Sequence, residues 1–429
     1  MNTQLFQDTI IQSILDLDVY KINMMNAAHC LYPDTQVRYE LIVRSDEDLT
    51  ELLPEIRQEI MLLDRYHFTD DQIQYLEAKS PYLSKSFLES LRYFRFFPQR
   101  QIELGIGQQH SKQPQLTITI QGSWKDTILY ETLIMSIVSE VRNRRRWGQI
   151  PVEQFRKVLV EKVKMIKHAI AERGITNFKF AEMGTRRRFS ASVQRDVLDY
   201  LQHEIPNLLV GTSNYHLARE MNLTPIGTVA HEWFMAHQAM VNVRDSQRVA
   251  LNRWNEVFAG KLGVALSDTI GLDAFLNDFD IRLAKAFSGV RHDSGCPFRW
   301  GDRMIAHYQE LGIDPLSKTL VFTDGLDFNQ ALDICEYFKD RIDISFGIGT
   351  FLANDMGGWE SSEGAVYRPL SMVIKMVACN DSPVAKISDE PEKAMCEDVF
   401  FLLNLKQRFG IPIDLDNTIK QLQAMQQIS

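Results

Sequence analysis

The sequence contains no stretch of about 18 consecutive apolar residues, the minimum for a membrane-spanning helix, so no span is expected. It has no CxxC pair. Its five cysteines (Cys30, Cys296, Cys335, Cys379 and Cys396) are odd in number and widely spaced. That excludes a disulfide framework or a zinc ribbon and reads as reduced thiols in a cytoplasmic protein. No excess of positive charge exists either, with 47 basic against 56 acidic residues and a net charge of −9. A broad surface for nucleic acid or anionic membrane is therefore not expected, although a local basic pocket is still allowed. Met1–Tyr20 lacks the basic start of a secretory leader. Low-complexity tracts and close repeats are absent.

What is present is a core-forming chain of 429 residues, 45% apolar and 24% charged. Domains run about 100–200 residues and α/β barrels reach about 250. The length predicts two domains, one of barrel size. Thr50–Arg65 reads as helix. So does Asp126–Arg142, where Ile128, Leu129, Leu133, Ile137 and Val141 recur at helical spacing and Asp126 is a candidate cap. Gln115–Gln121 alternates Leu116, Ile118 and Ile120 with threonines and reads as a strand. Gly148 and Pro151 punctuate the chain. The expected division is residues 1–148, an α/β domain; 149–380, the barrel; and 381–429, a C-terminal segment packing on the first domain.

Pro151–Gly174 is predicted to be a long amphipathic helix. After it, short apolar runs repeatedly end in small or polar turns. Phe178–Met183 leads to Gly184-Thr185-Arg186, Leu208–Val210 to Gly211-Thr212-Ser213, and Pro225–Ile226 to Gly227-Thr228. Val264–Leu266 leads to Ser267-Asp268-Thr269, and Phe287–Val290 to Arg291-His292-Asp293-Ser294-Gly295. Leu320–Phe322 leads to Thr323-Asp324-Gly325, Ile342–Phe346 to Gly347-Ile348-Gly349-Thr350, and Met372–Val377 to Cys379-Asn380. Helix-length segments separate most of these runs, which predicts parallel strands. About eight units suggest a barrel, irregular because residues 211–227 are too few for a full helical crossover. In such folds the strand C-terminal ends face the ligand.

The loops at those ends suggest an anionic ligand. Gly347–Thr350 and Thr323–Gly325 offer backbone N–H groups that an anion can approach closely, though ordinary turns use the same residues. Arg186-Arg187-Arg188 suits phosphate or carboxylate. The run Arg142–Arg146 instead sits at a predicted helix C-terminus, where the dipole favours cations. Asp268, Asp293, Asp324 and Asp327 can hold ribose hydroxyls or a Mg²⁺–polyphosphate, or cap turns and helices. Spacing alone leaves these alternatives open. His231 and His237 lack an evident third ligand, so no metal site is assigned, and a lone histidine among aromatics is ordinarily structural.

Eight segments together resemble the bacterial nicotinate phosphoribosyltransferases. They are Asp16–Lys21 (DLDVYK), Gly184–Ser190 (GTRRRFS), Val210–Asn214 (VGTSN), Leu223–Trp233 (LTPIGTVAHEW), Val290–Pro297 (VRHDSGCP), Lys318–Asp327 (KTLVFTDGLD), Ser345–Thr350 (SFGIGT) and Ile374–Asp389 (IKMVACNDSPVAKISD). The resemblance covers almost the whole chain. It implies an irregular TIM-like barrel of the type II phosphoribosyltransferase kind with a second α/β domain, in a homodimer with shared active sites. It also implies that nicotinate and phosphoribosyl pyrophosphate are converted to nicotinate mononucleotide and pyrophosphate for NAD salvage. ATP and Mg²⁺ drive that reaction through a phosphohistidine.

By the same resemblance, His231 is the phosphorylated residue, with Glu232 a candidate to orient it, and Asp293 holds the ribose. Tyr20 stacks on the pyridine, from the partner subunit in a shared site, and Met183 stands where the family commonly has phenylalanine. Arg186 and Arg291 contact the ring, its carboxylate or the sugar phosphate. Ser213 selects acid over amide, since a hydroxyl can donate to a carboxylate and the related nicotinamide enzyme has an aspartate there. Gly325 and the Gly347, Gly349 and Thr350 loop receive the 5-phosphate, and Asp327 is a further binding candidate. Cys296 departs from the family's DSGDP pattern. The competing readings are a nicotinamide-specific enzyme of the same fold and a non-catalytic nucleotide-binding barrel.

Overall fold

A computed structural model describes residues 4–108, 114–390 and 394–413. Two sheets organise the chain. The first is antiparallel and contains β1 (Gln36–Val43), β2 (Ile102–Gln108), β3 (Pro114–Ser123), β10 (Met372–Cys379) and β11 (Ser382–Pro383), in the order β11-β10-β1-β3-β2. The second has six parallel strands, β4 (Phe180–Glu182), β5 (Leu209–Thr212), β6 (Val264–Leu266), β7 (Gly289–His292), β8 (Thr319–Phe322) and β9 (Asp343–Ile348), in the order β5-β4-β9-β8-β7-β6. Pro225 adds a single parallel bridge to Thr212 beyond β5. Among the described residues no ladder closes this sheet from β6 back to β5.

Six of the eight expected strand units stand where the apolar runs place them, and the seventh is reduced to the Pro225 bridge. The eighth is a correction. Met372–Cys379 pairs antiparallel with β1 from Val43↔Met372 to Val37↔Cys379 and is no part of the parallel sheet. Its own pattern is consistent with that place: Met372, Ile374 and Met376 are buried while Val373 and Lys375 are partly exposed, the alternation of an antiparallel strand with one covered face.

The reading of 126–142 as one capped helix also changes. Trp124–Thr127 forms a short helix containing Asp126, and a second helix runs Tyr130–Trp147 with no side-chain cap. That second helix is buried on every face from Tyr130 to Asn143. Its polar residues therefore need partners inside the protein. Ser136 Oγ donates to Thr185 O at 2.8 Å, Ser139 Oγ to Arg188 O at 2.7 Å and Asn143 Nδ2 to Phe189 O at 3.0 Å. Positions 136, 139 and 143 share one helical face, and together they hold the arginine loop that follows β4. Arg142 meets Glu47 in two hydrogen bonds, and Arg146 pairs with Glu47 and Glu51. These ion pairs, rather than the helix dipole alone, account for the basic run.

One apolar core runs continuously through both sheets and the helices around them. A smaller cluster joins Ile270, Ala274, Ala385, Ile387 and Leu405. The helix Val399–Arg408 thus packs on segments beside the parallel sheet, contrary to the expected docking on the first domain, although Glu397 does pair with Arg38 of β1 at 2.6 Å. The rest of that expectation, residues 414–429, lies outside the described residues.

Candidate active site

The N-terminal helix Val19–Leu31 begins against the loop after β5. Asp18 bridges Asn214, and Val19 N donates to Ser213 O at 2.7 Å. Ser213 Oγ donates to Asp18 Oδ1 at 2.5 Å, both residues being buried. Arg186 reaches the same place from the loop after β4. Its Nε lies 3.8 Å from Asp18 Oδ2, its Nη1 lies 3.5 Å from Glu131 Oε1, and its guanidinium carbon is 5.8 Å from the Tyr20 ring centre. Tyr20, Arg186 and Ser213 therefore meet within a single chain, whereas the resemblance implies a Tyr20 supplied by the partner subunit. The Tyr20 hydroxyl is buried without a hydrogen-bond partner among the described residues. Such an orphan costs free energy unless a ligand or water satisfies it.

Beneath this group lies Glu182, fully buried at the end of β4. It accepts from Gly184 N at 2.6 Å, Thr212 Oγ1 at 2.7 Å and Gln194 Nε2 at 3.1 Å. One carboxylate thereby ties the Arg186 loop to the Ser213 loop. Burial raises its pKa to about 7 against the pull of these hydrogen bonds.

The second group surrounds His231, which opens the helix His231–Met240 and is itself buried. Its Nε2 lies 2.9 Å from Asp293 Oδ2, 3.1 Å from Lys386 Nζ and 3.6 Å from Asp268 Oδ1. Its Nδ1 is 3.2 Å from Thr269 Oγ1. Lys386 Nζ also lies 3.1 Å from Asp268 Oδ2, which accepts from Ser294 Oγ at 2.7 Å. Thr323 Oγ1 donates to Asp293 Oδ1 at 2.7 Å. Three segments, the loops following β6 and β7 and the segment after β11, therefore converge on one imidazole, and the loop after β8 reaches its partner Asp293. Burial first, and then the Lys386 charge, hold His231 down to about 4, so its ring is neutral at physiological pH. Burial works to raise Asp293, but Arg291 and His231 outweigh it and keep this carboxyl well below its usual range. The Arg291 Nε is buried without a hydrogen-bond partner among the described residues.

The two groups adjoin. A Cβ at Gly227 would come within 2.8 Å of Val19 Cβ, so only glycine lets the loop leading to His231 pass against the helix of Tyr20. Asn23 Nδ2 donates to Gly227 O at 3.0 Å, and Lys21 pairs with both Glu131 and Glu232. Glu232 is thus engaged by Lys21, Trp124 and Tyr39 and does not orient the His231 ring. Thr269 takes that place. His237 faces Tyr32 and the Trp233 carbonyl instead. Lys375 of β10 feels Glu131 and Arg186 on one side and Lys386 and Asp293 on the other, and burial lowers it to about 8.

The glycine-bearing end of β9 and the turn after it pack beside Met183. A Cβ on Gly347 would lie 2.4 Å from Met183 Sδ, and one on Gly349 would lie 2.7 Å from Met183 O. Close chain packing thus explains both glycines without a ligand. Thr350 starts a helix of only four residues. Gly325 has φ +60° with open space where a Cβ would project. Asp327 caps the helix Phe328–Tyr337, accepting from Gln330 N at 2.8 Å, which is the capping role left open by its spacing. The arginine triplet divides. Arg186 faces the site, Arg187 is half-buried beside it, and Arg188 is fully buried on Asp16 at 2.7 and 2.9 Å. Cys296 precedes the helix Pro297–Glu310 with its thiol exposed.

Reading the residues did not single out Lys386, Lys375, Thr269, Thr323, Asp18, Glu131 or Glu182. Lysines and threonines carry no spacing signal of their own. Four of them, Asp18, Thr323, Lys375 and Lys386, lie within the segments DLDVYK, KTLVFTDGLD and IKMVACNDSPVAKISD, with no role attached to them there. Asp268 was weighed only as one of four interchangeable carboxylates. The structure sets it, with His231 and Asp293, among donor atoms within 4.8 Å of one another. Among the described residues no helix is long and apolar enough to cross a membrane.

Two family models match the chain. The nicotinate phosphoribosyltransferase (NAPRTase) family model covers residues 178–413, and that family's N-terminal domain model covers 15–139. A nicotinate phosphoribosyltransferase of Vibrio parahaemolyticus is 62% identical over 426 residues, 99% of this chain and 98% of the relative. One from Ectopseudomonas mendocina is 45% identical over 96% of this chain and 100% of its own length. The crystal structure of nicotinate phosphoribosyltransferase from Vibrio cholerae superposes with a TM-score of 0.96 at 60% identity, covering 99% of this chain and 100% of that one. The Porphyromonas gingivalis structure gives 0.85 at 32% identity, covering 94% and 100%.

Proposed function

The chain belongs to the nicotinate phosphoribosyltransferase family, and from that premise we propose that it joins nicotinate to phosphoribosyl pyrophosphate, coupled to ATP through phosphorylation of His231. The observation that carries this reading is the adjoining of two groups. One is the grouping of Tyr20, Arg186 and Ser213 around Asp18. The other is a neutral, buried imidazole at a helix N-terminus, ringed by Asp268, Asp293 and Lys386.

In the tautomer with a proton on Nδ1, Thr269 Oγ1 accepts it, and the Nε2 lone pair attacks the γ-phosphorus of ATP once Lys386 Nζ, at 3.1 Å, turns from it to the incoming phosphate. The Nε2–P bond forms as the bond from phosphorus to the β-γ bridging oxygen breaks, and ADP leaves. The start of the His231–Met240 helix and the Lys386 ammonium favour the transferred phosphate. Asp268 Oδ1 is buried without a hydrogen bond among the described residues, an orphan that suits a hard cation. Asp268 and Asp293 are the residues that would hold Mg²⁺, which supplies charge neutralisation of the polyphosphate when bound.

In the transfer step the pyridine nitrogen attacks C1 of the ribose, and the C1–oxygen bond to pyrophosphate breaks. The pyridine nitrogen needs no base, so the protein contributes position and electrostatics. Tyr20 and Met183 would flank the ring, with Arg186 and Ser213 at its carboxylate. Arg291 and Asp293 would hold the sugar, and Gly325 with Gly347–Thr350 its 5-phosphate. A homodimer with shared active sites belongs to the same reading, to be checked by analytical ultracentrifugation. The decisive experiment is an ATPase assay with phosphoribosyl pyrophosphate, with and without nicotinate. Nicotinate-dependent ATP hydrolysis matched by nicotinate mononucleotide is expected. Equal turnover with nicotinamide would favour the amide-specific alternative.

A further inference from the structure

The setting assigned to the ring carboxylate already holds a carboxylate. Asp18 is 3% exposed, as is Ser213. Its Oδ1 takes the Ser213 hydroxyl proton at 2.5 Å, and its Oδ2 faces Arg186 at 3.8 Å. Backbone pairing fixes this arrangement, through the Asp18–Asn214 bridge and the bond from Val19 N to Ser213 O. A hydroxyl has a single proton to give. With that proton committed to Asp18, Ser213 offers only lone pairs to an incoming anion. Arg186 is likewise shared, between Asp18 and Glu131. Nicotinate would be the third carboxylate around one guanidinium, beside two that are themselves buried, where like charges repel.

We propose that nicotinate binds together with one proton taken up by Asp18, which then donates to Ser213 Oγ while Ser213 turns its own hydroxyl proton toward the ring carboxylate. The inference rests on the functional reading above. Every hydrogen bond in the relay has one donor and one acceptor, and the count of negative charges around Arg186 is unchanged by binding. An amide ligand behaves oppositely. Its N–H suits Ser213 as acceptor with Asp18 ionised, and it needs no proton. Asp18 therefore sets acid-over-amide selectivity jointly with Ser213 and makes it depend on pH.

The groups facing Asp18 are Tyr20 on its own segment, Arg186 and Thr185 from the loop after β4, Glu182 at the end of β4, and Glu131 from the helix Tyr130–Trp147. Burial already raises the Asp18 carboxyl, with Arg186 opposing. The other groups able to take a proton are Glu182, raised by burial to about 7, and Lys375, which lies near Glu131 and Arg186 and is lowered by burial to about 8.

The test is calorimetric titration of nicotinate into the full-length protein with phosphoribosyl pyrophosphate and EDTA, which fills the site without turnover. Buffers of different ionisation enthalpy at one neutral pH report the protons taken up. Wild type is expected to take up close to one proton per nicotinate and to bind about tenfold more weakly for each pH unit above neutrality. Asp18→Asn should take up none and bind with little pH dependence, while Lys375→Met and Glu182→Gln should each still take up the proton. Wild-type binding without proton uptake, undiminished uptake by Asp18→Asn, or loss of uptake in Lys375→Met or Glu182→Gln overturns the proposal. Failure of folded wild type to bind nicotinate at all sinks the functional reading and takes the proton linkage with it.

Discussion

Lys386 Nζ lies 3.1 Å from His231 Nε2, so a fixed positive charge sits beside the nitrogen assigned to receive phosphate. The ammonium opposes protonation of the ring and also attracts the phosphate that would arrive there. Lys386→Met is therefore expected to raise the His231 pKa from about 4 toward its usual 6.5. Histidine NMR titration checks the shift directly. Autophosphorylation by ATP should stay level in wild type down to mildly acid pH, and in the variant should decline as pH falls through the ordinary histidine range.

His231→Ala removes the nucleophile but none of the Tyr20, Arg186 and Ser213 setting. ATP hydrolysis coupled to nicotinate should vanish, while slow ATP-independent formation of nicotinate mononucleotide persists. Measuring both products in one reaction separates the two, and retained coupling would refute the phosphohistidine assignment.

Ser213→Asp puts a second carboxylate against Asp18 and Arg186. Nicotinate use should fall at least tenfold in kcat/KM, equivalent to about 1.4 kcal/mol or more. Nicotinamide should lose much less. A nicotinate kcat/KM equal to wild type would contradict the role given to this position.

Glu182 gives a stability prediction with a definite sign. Burial raises it from 4.5 to about 7. The folded chain therefore keeps a proton there that the unfolded chain releases between these values, and stability falls as pH rises through that window. The loss by neutral pH is about 3 kcal/mol for this one group. Glu182→Gln removes the titration, so the drop in urea midpoint between pH 5 and pH 8 should be smaller in the variant than in wild type.

Arg188 is paired with Asp16 in full burial and also bonds Ile10 O and Gln194. Arg188→Met leaves the Asp16 carboxylate without its ion partner, which costs about 3–5 kcal/mol. Thermal unfolding should reveal that loss, whereas the partly exposed Arg146→Met should change the unfolding temperature far less.

The alternation of Leu116, Ile118 and Ile120 and the apolar runs ending in Gly184, Asp268, Asp293 and Asp324 made the strands and the functional end of the parallel sheet legible. Periodicity could not say which sheet Met372–Cys379 would join, because register and partner are decided by packing far along the chain. Asp293 stands out in the sequence by its strand-end loop, whereas His231 reads as structural from its neighbours and enters the candidate site only through the resemblance of its segment. The site was opaque at Lys386, Glu182 and Glu131, whose importance comes from burial against groups distant in sequence. Asp327 shows the converse: a promising acidic residue at a strand end serves its own helix.

The return of β10 to pair with β1 has an architectural consequence. Lys375 rides on the antiparallel sheet, and Lys386 follows it by only a short connection, while the histidine and aspartate that Lys386 meets come from the parallel side. Neither half of the chain therefore owns the phosphate chemistry. A fragment ending before residue 372 would carry the imidazole without its cationic neighbour Lys386, so shuffling of the two halves between relatives would have to transplant this late strand together with the opening one.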